Sequence, residues 1–426
     1  MAFVCLLLLL IYCISPVLVL SINPLFSVCK QTMSFNCSLD YFLAYFLGLS
    51  FLCCIWAYVD RYFEKRLLCI IWLLKSIMVI LIMPVYELHY RSLDAFLYFN
   101  TMSSGPFHFS WGNGTQNIIN ISGYLSSIGL SFFRVQVMIF SMIGFLAIWA
   151  FHHAFQVMVG RKSLVFVILL LVYPSFLFWS SILGKDPLVI FAIAVWFLGI
   201  VLVVDRSYLR GILFMTIPIF IILYLRTWVS GILVLVTVGS FLFFLGHIIL
   251  GRFFFLYVAM ASVFFALMSD QIYSVIVETS LFERLVLHHN NFKFGGSSNY
   301  SNFDFYSYEG FLNFIFSGSF ATLFAPLPWS AKNIFEVCMG IEGAVSAFLC
   351  LLALALFLRS RLRFANFVVP FLFVFIWTAV YSFVSSANLG TGSRFRAQVI
   401  PFLVIILAVI FDHFMIQRGQ DVLEDS

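Results

Sequence analysis

Apolar positions in this chain come in long blocks rather than in alternation. Runs of mainly apolar residues cover approximately 1–22, 41–59, 67–86, 135–154, 163–183, 187–204, 212–225, 229–250, 253–268, 334–358, 367–384 and 397–414. Blocks close to 20 residues suit helices that cross a bilayer, whereas membrane barrels alternate polar and apolar positions along short strands. The pattern predicts an all-α, polytopic helical membrane protein with about twelve spans. The first run has neither a basic n-region nor a clear small-residue cleavage motif, so it reads as a retained helix. Two long polar segments, 87–127 and 269–332, interrupt the series. With no internal repeat and no low-complexity linker, residues 1–426 read as a single polytopic domain.

Composition agrees, at 63% hydrophobic and 10% charged. The net charge of +5 does not point to nucleic acid, because the basic residues are scattered at helix ends and form no long block. Their distribution sets topology instead. Arg61, Lys65, Arg66, Arg161, Lys162, Arg206, Arg210, Arg252, Arg359, Arg361, Arg363 and Arg418 fall mostly in short connections, which places those connections and both termini in the cytoplasm. Lys30, Arg91, Lys185, Arg226, Arg284, Lys293, Lys332, Arg394 and Arg396 then lie on the outer face, spread over longer loops. The nine cysteines contain no CxxC pair and no Cys/His zinc spacing. Cys29 and Cys37 share a polar loop and can pair if it faces an oxidising compartment.

Candidate chemistry gathers on that outer face. The stretch 388–401, NLGTGSRFRAQVIP, sets Arg394 and Arg396 between a glycine-containing loop and an apolar run that starts at Ala397. Charge near lipid needs a partner, and a phosphate-bearing lipid is the natural one; snorkelling to headgroups is the alternative. Lys185 and Asp186 interrupt two apolar runs joined almost without a gap, and Asp186 before Pro187 reads as an N-cap. Arg226 sits at another such junction, and Arg134 near the outer end of its run is a possible fifth cation. Lys75 lies inside an apolar run and requires an acidic or carbonyl partner.

Asp94 and Tyr98 are four residues apart in LDAFLYF, so on a helix they share a face; Asp94 reads as a general base or as a helix cap. The second polar segment carries His288, His289 and Glu309 among tyrosines and asparagines, a composition suited to sugar stacking and hydroxyl recognition and equally to a wet interfacial loop. Adjacent histidines without HExxH or DxD spacing do not make a metal site. Gly390 and Gly392 lack the third glycine of a dinucleotide fingerprint, and neither a P-loop nor a GxSxG elbow is present, so no cofactor is expected. Sequons occur at Asn36, Asn113, Asn120 and Asn299.

The stretches DAFLYF, FWSSILGKDPLVIF, APLPWSAKNIFE and NLGTGSRFRAQVIPF, set in this topology, resemble those of bacterial O-antigen and capsular polysaccharide polymerases and of the GT-C glycosyltransferases that use lipid-linked sugars. The resemblance implies a multi-pass protein of the bacterial cytoplasmic (inner) membrane that transfers a glycan from an undecaprenyl-diphosphate-type donor to an acceptor sugar, alongside other polysaccharide-assembly proteins. It assigns Asp94, or Glu309, as the base, and Arg394, Arg396 and Arg226 to the diphosphate; Lys185 joins them because a diphosphate explains four cations on that face. Tyr98, His288 and His289 then fall to the substrate. Asp94 stands without the acidic pair of many GT-C members. A flippase for the same lipid-linked glycans fits the same topology, and lining of a central cavity by Lys75 and Arg134 would favour it. A structural subunit of an envelope complex is the third class.

Overall fold

The computed structural model describes residues 37–59, 62–89, 93–101, 107–250, 280–292, 304–331, 334–359 and 367–424. In chain order the helices are α1 (Cys37–Tyr58), α2 (Tyr62–Ile77), α3 (Met83–His89), α4 (Asp94–Asn100), α5 (Gly114–Ser127) and α6 (Phe133–Val159). Next come α7 (Val165–Leu171), α8 (Pro174–Trp179), α9 (Lys185–Val204), α10 (Tyr208–Leu225), α11 (Thr227–Leu250) and α12 (Ser280–Phe292). The series closes with α13 (Tyr308–Phe324), α14 (Ile334–Arg359), α15 (Val368–Ser385), α16 (Leu389–Arg396) and α17 (Ile400–Glu424). A π-helical turn, Met78–Ile82, joins α2 to α3. The described residues thus form an all-helical protein, with seven helices long and apolar enough to cross a membrane, or eight if the bent pair α16 and α17 counts as one span. The expected runs 1–22 and 253–268, and Cys29 of the expected disulfide, lie outside the described residues.

Two expectations change. The run 163–183 is broken into the short helices α7 and α8. Pro174 has no N–H to continue the earlier helix, and its fixed φ suits the first turn of a new one. The glycine-containing stretch before Arg394 is helical, not a loop. The Asn388 side chain accepts from the Thr391 N–H at 3.0 Å and starts α16, which meets α17 at a 52° bend. Arg394 and Arg396 therefore occupy the last turn of a short helix, where its dipole favours cations.

The helices group into two compact units, residues 1–162 with 176–230, and residues 163–175 with 231–426. In the first unit α6 is the pillar: 72% of its apolar window is buried, against 17% for α1, which leaves most of α1 facing outward. Helices α1, α2 and α9 pack on α6, and α10 packs on α9. Lipid tails are as apolar as leucine, so association in a bilayer depends on close packing and hydrogen bonds rather than on escape from water. The α9–α10 crossing shows this: a Cβ on Gly211 would stand 2.8 Å from the Gly199 carbonyl oxygen, so small residues there let the backbones meet.

In the second unit α15 is central, contacted by α12, α13, α16 and α17, while α14 packs on α13 and α17. Phe282, Val286, Phe305, Phe314 and Phe383 form an aromatic-rich core cluster. The Ser163 hydroxyl donates to Asp412 Oδ1 at 3.0 Å, on the side of the unit where α7 packs against α17.

Candidate functional site

Within the first unit, ionisable groups collect near one end of the bundle. The Arg134 guanidinium is 2% exposed and binds Glu87 through two parallel bonds, Nη1 to Oε1 at 3.0 Å and Nη2 to Oε2 at 2.5 Å. Asp40 accepts from the backbone N–H groups of Arg134 and Val135 at 3.0 and 3.1 Å, which satisfies two of the orphan donors at the start of α6. The Tyr41 ring lies 5.0 Å from the guanidinium carbon. Arg134 is thereby committed to an internal pair.

Lys75 finds oxygen partners of another kind. Its Nζ donates to the Ser180 carbonyl at 2.6 Å and to the hydroxyls of Ser180 and Ser181 at 2.7 Å each, with the Leu177 carbonyl at 3.4 Å. The carbonyls belong to the final turn of α8 and the bend after it, where partial negative charge accumulates. Gly144 on α6 makes room, since a Cβ there would reach within 2.7 Å of Nζ and collide with the Ser180 carbonyl. The side chain is fully buried, and the bend it ties down leads directly to Lys185.

Lys185 and Arg226 come together at the same end. Gly184 is the N-cap of α9, so Asp186 sits inside the first turn and not at the cap expected for it. From there its fully buried carboxylate reaches Arg226, with Oδ1 2.8 Å from Nη2. Lys185 Nζ donates to the Thr115 hydroxyl at 3.0 Å, in the first turn of α5. The loop before α5 is fixed on the end of α10: the Gly112 N–H donates to the Leu223 carbonyl at 3.1 Å, Asn117 Nδ2 to the Tyr224 carbonyl at 2.7 Å, and Trp111 stacks on Tyr224 at 4.2 Å. Asn113, one of the sequon positions, caps α5. Asn120, another, is buried and donates to the His108 carbonyl at 2.6 Å. Both cations remain partly exposed.

Asp94 opens α4 and is exposed, while Tyr98 on the next turn is buried. Phe96 and Phe99 hold this helix on Phe133, each ring 5.3 Å away, and α4 packs on α5. Asp94, Lys185 and Arg226 are thus each carried by elements in contact with α5 or bordering it.

The second unit holds the remaining predicted residues, and they divide. Arg396 is 2% exposed, with Nε donating to the Thr322 carbonyl at 3.2 Å and Nη2 to the Ala325 carbonyl. Arg394, two residues earlier, is partly exposed. Near Arg396, Glu342 accepts from the Ser175 hydroxyl and from its N–H at 2.9 Å. Glu309 lies exposed in the first turn of α13, where a carboxylate suits the helix dipole. His289 is fully buried against Phe305, and its Nδ1 faces the Phe383 carbonyl at 2.8 Å; a carbonyl only accepts, so Nδ1 carries the proton. This makes His289 part of the aromatic core. His288 lies on α12, and its side chain is outside the described residues.

Comparison with protein-family models, with curated proteins and with solved structures gives no match. The site has to be read from its own chemistry. Among the described residues no three His, Cys, Asp or Glu side chains gather in a metal-binding group. Sequence reasoning gave Glu87 no role and passed over Asp40, Thr115 and Glu342. The signal for Glu87 and Glu342 was present, since a carboxylate within or bordering an apolar run asks for a partner. The signal for Thr115 was not, because a hydroxyl in a polar segment looks like any other.

Proposed function

We propose that this protein is a membrane glycosyltransferase of the polysaccharide-polymerase kind, which moves a glycan from a polyprenyl-diphosphate carrier to an acceptor sugar. In this reading the chain makes about twelve spans of a bacterial inner membrane, with both termini in the cytoplasm and Lys185 and Arg226 on the outer face. The observation that carries it is the meeting of Lys185, Arg226, Asp186 and Thr115 at one end of the first unit, beside the N-terminus of α5. Cations, a hydroxyl and a helix N-terminus together suit a phosphate.

The reaction breaks the bond between the anomeric carbon and the diphosphate oxygen. It forms a bond from that carbon to an acceptor hydroxyl oxygen. Negative charge develops on the departing diphosphate, so fixed cations that bind it more tightly as it leaves lower the barrier. Asp94 is the base assigned to receive the hydroxyl proton, since it is exposed on a helix that packs beside α5. Asp186 positions Arg226 and does not itself meet the acceptor, because it is fully buried. In the second unit Arg394 is the better-presented arginine for a lipid phosphate, and Arg396 supports the backbone around it. Catalysis is favoured over transport by Lys75 and Arg134, which are packed among fixed partners instead of lining an open path.

The test is turnover. The purified protein in lipid vesicles is given an undecaprenyl-diphosphate oligosaccharide, and glycan length and released lipid diphosphate are followed by mass spectrometry. Longer glycans with equivalent release are expected, reduced at least tenfold by Lys185→Ala or Arg226→Ala and unaffected by Arg359→Ala. Lipid movement between leaflets with no covalent change would reject the proposal.

A further inference from the structure

Residues 107–113 form a short loop in the first unit that leads into α5, and its backbone is tied down along its length. Asn117, buried on α5, accepts from the Ser110 N–H at 3.0 Å and donates from Nδ2 to the Ser110 carbonyl at 2.7 Å. The His108 carbonyl is held by Asn120, and the Gly112 N–H by the Leu223 carbonyl. Gly112 has φ +72°, a left-handed conformation that glycine adopts without strain. What this loop presents is Trp111. One face of its indole lies on Tyr224, with centroids 4.2 Å and planes 23° apart, yet 59% of the residue is exposed, so that exposure belongs to the opposite face and the rim.

The ring stands beside the cations. Tyr224 comes two residues before Arg226, and a Cβ on Gly112 would meet the Thr227 methyl at 3.3 Å, so Trp111 and its neighbour touch the chain on both sides of Arg226. A Cβ on Gly114 would stand 3.1 Å from Cδ of Lys185. Asn113 and Gln116, in the same stretch, are exposed. Among the described residues each uses half of its amide within α5: Asn113 Oδ1 accepts from the Gln116 N–H at 3.2 Å, and Gln116 Nε2 donates to Asn120 Oδ1 at 3.1 Å. Asn113 Nδ2 and Gln116 Oε1 remain, a donor and an acceptor suited to hydroxyl groups.

We infer that Trp111 is the stacking surface for the sugar ring next to the diphosphate, with Asn113 and Gln116 turned to its hydroxyls. The inference rests on the proposed function and adds the subsite that receives the sugar. The C–H face of a pyranose carries weakly positive hydrogens and the face of an indole is negative, so the two attract when stacked. Position agrees with the carrier. Its diphosphate lies at headgroup level, so its first sugar lies just outside the bilayer, where this loop is bonded to the end of α10. Tryptophans at the ends of spanning helices also sit among headgroups as anchors. An anchor needs no fixed ring, whereas a ring held on Tyr224 by a bonded loop spares an incoming sugar the cost of ordering its site.

The test is binding by the full-length protein in lipid nanodiscs, read as the Kd for an undecaprenyl-diphosphate oligosaccharide and for undecaprenyl diphosphate without sugar. Trp111→Leu keeps an apolar side chain against Tyr224 and removes the ring face, so its unfolding midpoint should match that of the parent protein. It is expected to raise the Kd of the glycan-bearing carrier about tenfold and to leave that of the bare carrier unchanged. Trp111→Phe, which restores a ring, should recover most of the loss. Equal weakening of both ligands in Trp111→Leu would make the residue a membrane anchor, and unchanged binding of both would put the sugar elsewhere; either result overturns the inference. Selective loss in a protein that never lengthens a glycan would reject the enzymatic reading and keep the subsite. Turnover together with a glycan-carrier Kd that Trp111→Leu leaves intact would reject the subsite and keep the enzyme.

Discussion

Arg134 in the first unit and Arg396 in the second are both buried at helix ends, each with 2% of its surface exposed, and they are satisfied in opposite ways. Arg134 faces the Glu87 carboxylate through a two-pronged bond that answers its charge, and its Nη1 also donates to the Val79 carbonyl at 3.3 Å. Arg396 places its donors on the carbonyls of Thr322 and Ala325, which answer its hydrogen bonds but not its full charge. A buried ion pair is a closed structural device. A guanidinium held on carbonyls, with Glu342 nearby to offset part of its charge, is a more open arrangement, and it lies beside a partly exposed Arg394.

The largest effect that separates the two comes from breaking the pair. Arg134→Met leaves the Glu87 carboxylate buried without its cation, and a loss of about 3–5 kcal/mol is expected in detergent-solubilised unfolding. Arg134→Met combined with Glu87→Met should recover most of that loss, because the uncompensated charge is gone. A double variant as unstable as the single one would mean that the guanidinium acts through the Tyr41 ring instead.

Arg396→Met is expected to cost less, about 1–3 kcal/mol, since it frees two carbonyls while the nearby Glu342 keeps its two bonds from Ser175. Its second consequence distinguishes it from Arg134: loosening of the 322–325 backbone should weaken binding of an anionic lipid at Arg394, read as a raised Kd in vesicles, while Arg394→Ala should weaken it without loss of stability. Equal unfolding midpoints for Arg134→Met and Arg396→Met would erase the distinction between carboxylate and carbonyl partners.

The smallest effect concerns the entry to α13. The Ser307 hydroxyl and the Tyr306 N–H donate to the exposed Asp304 carboxylate and hold its pKa below the usual carboxylate range. A carboxyl whose folded pKa is depressed stabilises above the unfolded value, about 3.9, and that contribution fades as pH falls through the folded value. Amide exchange at Tyr306 and Gly310 should therefore stay slow through neutral pH and rise, relative to the intrinsic rate, only in acid below about pH 4. Asp304→Asn should show that higher relative exchange at pH 7.

The sequence by itself determined that the protein is helical and suited to membrane crossing, because runs near 20 residues with few charges have one inexpensive backbone solution in lipid. It also determined which ionisable residues demanded an account: Lys75, Arg134, Lys185, Arg226, Arg394 and Arg396 stood out against apolar surroundings. It erred locally where backbone capping competed with composition, as at 388–396, where two glycines suggested a loop and Asn388 instead starts a helix. Only the tertiary structure decided the partners. Glu87 is 47 residues from Arg134, and Ser180 is 105 from Lys75, separations over which linear pattern carries no pairing information. The same folding set Thr115 beside Lys185 and Asp186 against Arg226, so that cations equivalent in the sequence became a buried pair, a carbonyl-bound guanidinium and a partly exposed cluster. The physical reason is that solvation in a membrane must come from the protein, and which oxygen supplies it depends on how the helices pack.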